Sequence, residues 1–172
     1  MAAHRFWRLV LAANNANSRA ALRELEMRVV VGGASVCSGG TALASGDSSG
    51  NVVARAFDGN TGTEWNSQIG GLAWAGYDFG SAVDIVEMAA TAGANSDMLS
   101  GWMRVDWSDD GTAWQLLAPY FNTASLGVNA TVVLGGFTAP AAPRLVGVAS
   151  RMGTAWPAGP LVHRLAGGAC RV

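Results

Sequence analysis

The chain is predicted to fold as an all-β sandwich of antiparallel strands, and three observations predict it. Met103, Val105 and Trp107 alternate with Trp102, Arg104, Asp106 and Ser108, the period of a strand with one apolar and one polar face. Asp109, Asp110 and Gly111, between Trp107 and Trp114, carry the Asp-Gly signal of a tight hairpin, because these residues accept the positive φ values such turns need. Twenty-three glycines, with many Ala, Ser, Thr and Asn, suit short strands and turns rather than long helices.

The elements follow in order. Residues 5–11 and 23–31 read as extended; in the second run Leu25, Met27, Val29 and Val31 fall on one face and Glu24, Glu26 and Arg28 on the other. Between them AANNANSRA is a polar loop. Residues 33–51 are rich in Gly and Ser and form either a linker or the first long loop of the sandwich. Further strands are predicted at 73–79, 83–92, 102–108, 113–118, 131–135 and 144–150. Pro157, Pro160 and several glycines make 151–172 an irregular C-terminal tail with one short strand at 161–165. The predicted organisation is therefore N-terminal strands at 1–32 that pack on or extend the sandwich, a sandwich body at 33–150, and the tail.

Charged residues are 13% of the 172, about half the usual share of roughly 25%. Neutral polar groups or neighbouring subunits must cover such a surface, so a homo-oligomer is expected. Lysine is absent, all 11 basic residues are Arg and the net charge is −1, which leaves no electrostatic footprint for nucleic acid. Arg5 and Arg8 before LVLAA imitate a secretory signal, but the apolar part at 9–13 is too short for a signal core, and it reads as mature sequence. No apolar run approaches the ~20 residues that cross a bilayer, so membrane insertion is not expected. Cys and His lack zinc-ligand spacing.

The segment AFDGNTGTEWNS, residues 56–67, is the most specific local signal. Asp58, Gly59 and Asn60 bend the backbone and present oxygens, Thr61 and Thr63 add hydroxyls, and Trp65 follows as an apolar anchor. Taken alone it is either an ordinary Asp-Gly turn or a cage for calcium, a hard cation that takes six to eight oxygens. It is followed by WAGYDFGSAVDIVEMAATA (74–92), MRVDWSDDGTAWQLLA (103–118) and PRLVGVAS (143–150). In order and spacing these resemble the discoidin, or galactose-binding-like, family (coagulation-factor C-type domains) over about residues 34–150. The resemblance implies an antiparallel jelly-roll β-sandwich of galactose-binding-like type. HRFWRLVLAANNANSRAALRELEMR, residues 4–28, resembles a segment of bacteriophage virion proteins that carry discoidin-like domains, and reads like the closing strands of such a domain placed before the rest.

The same resemblance implies a structural calcium ion held by the Asp58 side chain, main-chain oxygens around Phe57 and Asn60, the Thr63 hydroxyl and a carboxylate from the closing strand. ALREL is the match to that closing motif, which points to Glu24. Glu24 then belongs to this domain's site or a neighbouring subunit's, or is a solvated strand carboxylate. Some family members join the domain ends by a disulfide; Cys37 and Cys170 either pair in that way or are free thiols.

Seven tryptophans are the other resource. Trp65, Trp107 and Trp114 hold motif or inward-pattern positions and are expected in the core, and Trp74 in the core or at its rim. Trp102 lies on the polar face with Arg104, beside the loop GANSDMLSG that contains Asn95, and Trp156 lies in the tail beside Arg151. Sugar rings stack on aromatics while their hydroxyls meet planar Arg, Asn and Asp groups, so these residues are ligand candidates; an inter-subunit contact is the alternative. Catalysis has little to work with: His4 and His163 lack a motif, and Asp109 and Asp110, which with Asp106 could pass for a glycosidase pair, lie in the turn they shape. The expected function is that of a non-catalytic, virion-located protein of a phage or phage-like particle that binds host-surface carbohydrate. The alternative is a structural assembly or decoration module contacting other virion proteins; behind both stands an accessory module of a polysaccharide-degrading enzyme.

Overall fold

The computed structural model describes residues 2–12, 19–68, 72–94, 102–117, 121–122 and 126–137, all within one compact unit that spans residues 1–142. The predicted strands 144–150 and 161–165, and Asn95, Trp156, Arg151 and Cys170, lie outside the described residues. The fold is all-β, with two antiparallel sheets packed as a sandwich. Its strands are β1 (His4–Ala12), β2 (Ala21–Arg28), β3 (Thr41–Ala44), β4 (Trp65–Asn66), β5 (Leu72–Val83), β6 (Glu87–Ala92), β7 (Trp102–Ser108), β8 (Gln115–Leu116), β9 (Phe121–Asn122) and β10 (Thr131–Gly135), with a 3-10 helix at Val53–Phe57. One sheet runs β3-β5-β1-β7-β8, with β9 also paired to β7; the other runs β10-β6-β2-β4.

The two N-terminal strands occupy the middle of the sandwich. β1 lies between β5 and β7, with Leu9 opposite both Ala75 and Val105. β2 lies between β6 and β4, with Leu25 opposite Ala90 and Leu22 opposite Trp65. The register explains the core: Trp7, Leu9 and Leu11 share one face with Tyr77, Ala75 and Ala73 and with Val105 and Met103. Across the interior they meet Leu22, Leu25, Met27, Met88 and Leu134 in one buried cluster. Small alanines at 73, 75, 90 and 92 leave room for the large side chains of the same cluster.

Two sequence expectations are corrected here. β2 ends at Arg28, and Val29 and Val31, expected on its core face, are 42% and 69% exposed. The chain turns there, with Gly33 N–H donating to the Val30 carbonyl and Val36 N–H to that of Met27, which stops the alternation. Trp114 is not a core residue. The turn after β7 runs through residues 109–114, and β8 begins only at Gln115, with Leu116 opposite Asp106. Trp114 therefore takes the parity of Asp106 and emerges on the outer side of the sheet. Trp65 is fully buried as expected, and Trp107 is half-buried against the core.

Candidate functional site

The first site is the loop after the 3-10 helix. Phe57 ends that helix with its ring 5.2 Å from the Tyr77 ring, and Asp58 follows at φ −92°. Asp58 then folds the loop onto itself: Oδ1 accepts the Asn60 N–H at 2.8 Å and Oδ2 the Thr63 hydroxyl at 2.8 Å. Asn60 Oδ1 accepts the Gly62 N–H at 3.0 Å, and the Thr63 hydroxyl also reaches the Asn60 carbonyl at 2.9 Å. Gly59, at φ +70°, supplies the left-handed residue this turn requires. Arg23 of β2 ties the loop to the sheet through its 2.6 Å hydrogen bond to the Thr61 carbonyl.

Glu24 lies on the outer face of β2 beneath this loop and is 6% exposed, so the sheet and the loop bring it and Asp58 together. Its Oε1 is buried with no hydrogen-bond partner among the described residues. Burial pushes the Glu24 carboxyl up to about 7, and the neighbouring Asp58 carboxylate adds to the rise, while the Gly59 and Asn60 amides pull the other way. The pair lies beside a cavity of about 370 Å³ whose walls include Glu24, Glu26, Cys37, Phe57, Gly59 and Thr61. Burial raises the Cys37 thiol to about 11.

Two carboxylates side by side, that of Glu24 buried and that of Asp58 exposed, favour a proton or a cation between them. Among the described residues no three Cys, His, Asp or Glu side chains gather as a metal cluster. A hard cation does not need three; it accepts hydroxyl and carbonyl oxygens alongside one or two carboxylates. The donor set of Glu24, Asp58, Thr63 and the Asn60 carbonyl fits that chemistry, and the orphaned Glu24 Oε1 is the atom a cation would satisfy.

The second site covers the outer face of the β5-β1-β7 strip. Register sets Gly76 and Asp106 on either side of Arg8, and Trp74 and Arg104 on either side of Val10. Arg8 donates from Nε at 3.0 Å and Nη2 at 2.8 Å to Asp106 Oδ2, while Arg104 Nε lies 3.1 Å from Oδ1. The Arg8 guanidinium stacks 4.0 Å from the Trp114 ring centroid and 5.3 Å from that of Trp74, and the two indoles are 5.9 Å apart. A β-carbon at position 76 would come within 2.6 Å of the Trp7 carbonyl oxygen and 2.8 Å of the Arg8 Cβ, so the glycine makes room for the β1 backbone and the base of the arginine. Trp102 is 39% exposed at one end of the strip, and Leu72 and Leu116 are exposed beside it.

Trp102 and Arg104 thus stand on one face, as their alternation with Met103 and Val105 predicts. Arg8, Trp74 and Trp114 complete that face, which the alternation of β7 alone does not reveal. Arg8 had a signal, being the one charge inside the apolar run FWRLVL. Trp114 had none, because its side depends on the length of the turn. Asp106 is a buried bridge between two arginines. Asp110 is the turn residue: the Ala113 and Thr112 amides hold its carboxyl well below the usual carboxylate range.

Comparison with known proteins finds no matching family model, no matching curated protein and no matching solved structure. Among the described residues no helix is long and apolar enough to cross a membrane.

Proposed function

We propose that this chain is a virion-associated protein of a bacteriophage or phage-like particle, a galactose-binding-like jelly-roll sandwich that binds carbohydrate on the host surface without catalysing a reaction. The observation that carries the reading is the outer face of the six-stranded sheet, which presents Trp74, Trp102 and Trp114 together with an Arg8–Asp106–Arg104 network. An indole offers the apolar face of a pyranose a stacking surface, and the part-exposed Arg104 guanidinium suits its hydroxyls, held in place by the buried Asp106 carboxylate. The antiparallel sandwich and the sequence resemblance of residues 34–150 and 4–28 support the same assignment.

Trp102→Ala tests it. Trp102 is 39% exposed, so its removal should cost clearly less than the about 3–5 kcal/mol of a fully buried tryptophan and leave the chain folded. Loss of a stacking anchor worth about 1.4 kcal/mol should weaken retention on a glycan array about tenfold. A second reading is favoured by the exposed Leu72, Leu116 and Trp102 on that strip, since aromatic and apolar groups with arginine are the stuff of protein interfaces. There the chain is an assembly or decoration module, and Trp102→Ala would fold, bind every glycan as wild type does, and fail to enter particles.

The loop of Asp58 and Thr63, with Glu24, is the place for a structural calcium ion that ties β2 to the 3-10 helix. At a hundredfold excess over its dissociation constant, calcium should stabilise the fold by about 2.7 kcal/mol, and Asp58→Ala should remove that gain. pH gives a second handle. Without the cation, the stability contributed by Glu24 is fully present below the ordinary carboxyl value of 4.5 and is lost as pH rises through about 7. Calcium requires the ionised form, so its affinity should fall roughly hundredfold between pH 8 and pH 5 as Glu24 takes up a proton. Thermal melts with calcium and with chelator at both pH values check this; identical melts at pH 8 would remove calcium from the account.

A further inference from the structure

A cleft beside the β7–β8 turn is built from residues the outer face does not use. Trp107 is in register with Trp7, on the side of β7 opposite Arg104 and Asp106. His4 stacks on its indole with ring centroids 3.4 Å apart and planes within 14°, and Trp7 meets the same imidazole edge-on at 5.7 Å. His4 Nδ1 lies 2.9 Å from Asp109 Oδ1, which ties the turn to the stack. One face of the Trp107 indole is therefore covered and the ring is held in place. The same indole lines a cavity of about 340 Å³ together with Asp109, Asp110, Ala113 and Gln115.

Of the polar groups there, Asp110 is committed to the turn: its Oδ1 accepts the Ser108 hydroxyl and the Thr112 and Ala113 amides. Asp109, with its side chain 67% exposed, and the exposed Gln115 remain to meet a ligand. Gln115 is directly opposite Trp107 in the register, so amide and indole share a face.

We propose that this cleft is a saccharide subsite, with a pyranose ring resting on the Trp107 indole and its hydroxyls bonding to the Asp109 carboxylate and the Gln115 amide. The components are those a single sugar ring needs: a fixed aromatic platform, the carboxylate oxygen of Asp109 that His4 does not hold, and an amide that both donates and accepts. The cavity is at the small end of the roughly 300–1,000 Å³ range of ligand sites, a size for one ring rather than a chain. An organic ammonium ion would use the same indole and carboxylate. The neutral Gln115 and the engagement of Asp109 by His4 favour the sugar. This inference rests on the carbohydrate reading of the protein, but not on the outer face.

The test is titration of the full-length, isotope-labelled protein with methyl glycosides of glucose, galactose, mannose and N-acetylglucosamine, following the assigned indole N–H signals of Trp107 and Trp102 by NMR. The expected result is a saturable shift of the Trp107 signal with at least one glycoside. Asp109→Ala and Gln115→Ala, both at exposed positions, should each weaken that response about tenfold by removing a hydrogen bond from a charged or planar group. Asp109→Asn, which keeps the shape, serves if Asp109→Ala fails to fold. A response at Trp102 alone overturns the cleft and leaves the outer face standing; a response at neither removes both. A Trp107 shift with tetramethylammonium and with no glycoside overturns the saccharide assignment in favour of a cation, and a glycoside response unchanged in both variants overturns the assigned contacts.

Discussion

Trp65→Ala is expected to lower the free energy of unfolding by about 3–5 kcal/mol, enough to unfold most of a marginal domain. The side chain is fully buried at the start of β4, opposite Leu22, and belongs to the cluster that joins the two sheets. Its removal leaves a cavity that the paired strands around it cannot collapse to fill. Its Nε1 also donates to Asp47 Oδ1 at 2.9 Å, and the isolated bridge Asp47↔Ser67 lies beside it, so the loop before the 3-10 helix loses an anchor as well. Trp65→Phe keeps most of the volume and isolates the hydrogen bond, with an expected cost of about 1–3 kcal/mol for the orphaned acceptor. Urea denaturation of the three proteins measures both numbers, and a loss below about 1 kcal/mol for the alanine variant would contradict the tight packing described for this residue.

The second large effect is expected at Asp106. The carboxylate is 2% exposed and bridges Arg8 and Arg104, and Arg8 is itself mostly buried between two indoles. Asp106→Ala leaves that guanidinium in a desolvated place without its counter-charge, a change that costs about 3–5 kcal/mol in comparable buried pairs. Removing the buried partner as well, as Asp106→Ala with Arg8→Met, should recover part of the loss, because only the more exposed Arg104 is then left without this counter-charge. The double-mutant cycle reads the coupling directly. If Asp106→Ala alone proved as stable as wild type, the network would have to be solvated, and the preorganised polar face on which the carbohydrate proposal depends would go with it.

How far the sequence carried can be judged strand by strand. β7 was legible because Met103 and Val105 alternate with Arg104 and Asp106, and one buried face is enough to set register. β3 was hidden: TALA lies inside a Gly- and Ser-rich stretch, and only its pairing with residues 75–78 of β5 makes it a strand. β4 and β9, two residues each, have no periodicity to detect. In β2 the run of valines continued the apolar pattern past the point where the backbone turns, so tertiary contacts rather than local pattern ended the strand. The loop of Asp58 was visible as a turn, but its meeting with Glu24 depends on β2 lying beside the 3-10 helix, a relation no local window contains. The outer aromatic face was legible only in half, at Trp102 and Arg104, since Trp74 and Trp114 look like core residues until the strand register assigns them a side.

The central placement of β1 and β2 constrains how the chain reaches this state. Trp7 pairs with Tyr77 on one flank and Trp107 on the other, so β1 has no complete place until β5 and β7, both far along the chain from it, are available. Closing such long loops must be met before the contacts repay it, which puts folding in the millisecond-to-second range of sandwich topologies rather than the microseconds of local folds. During that wait the rest of the chain has a vacancy in each sheet, and the N-terminal segment of a second copy has the same side chains to fill it. Protein concentration during refolding therefore decides between a closed monomer and strand-exchanged oligomers, and dilution is the condition that favours the first.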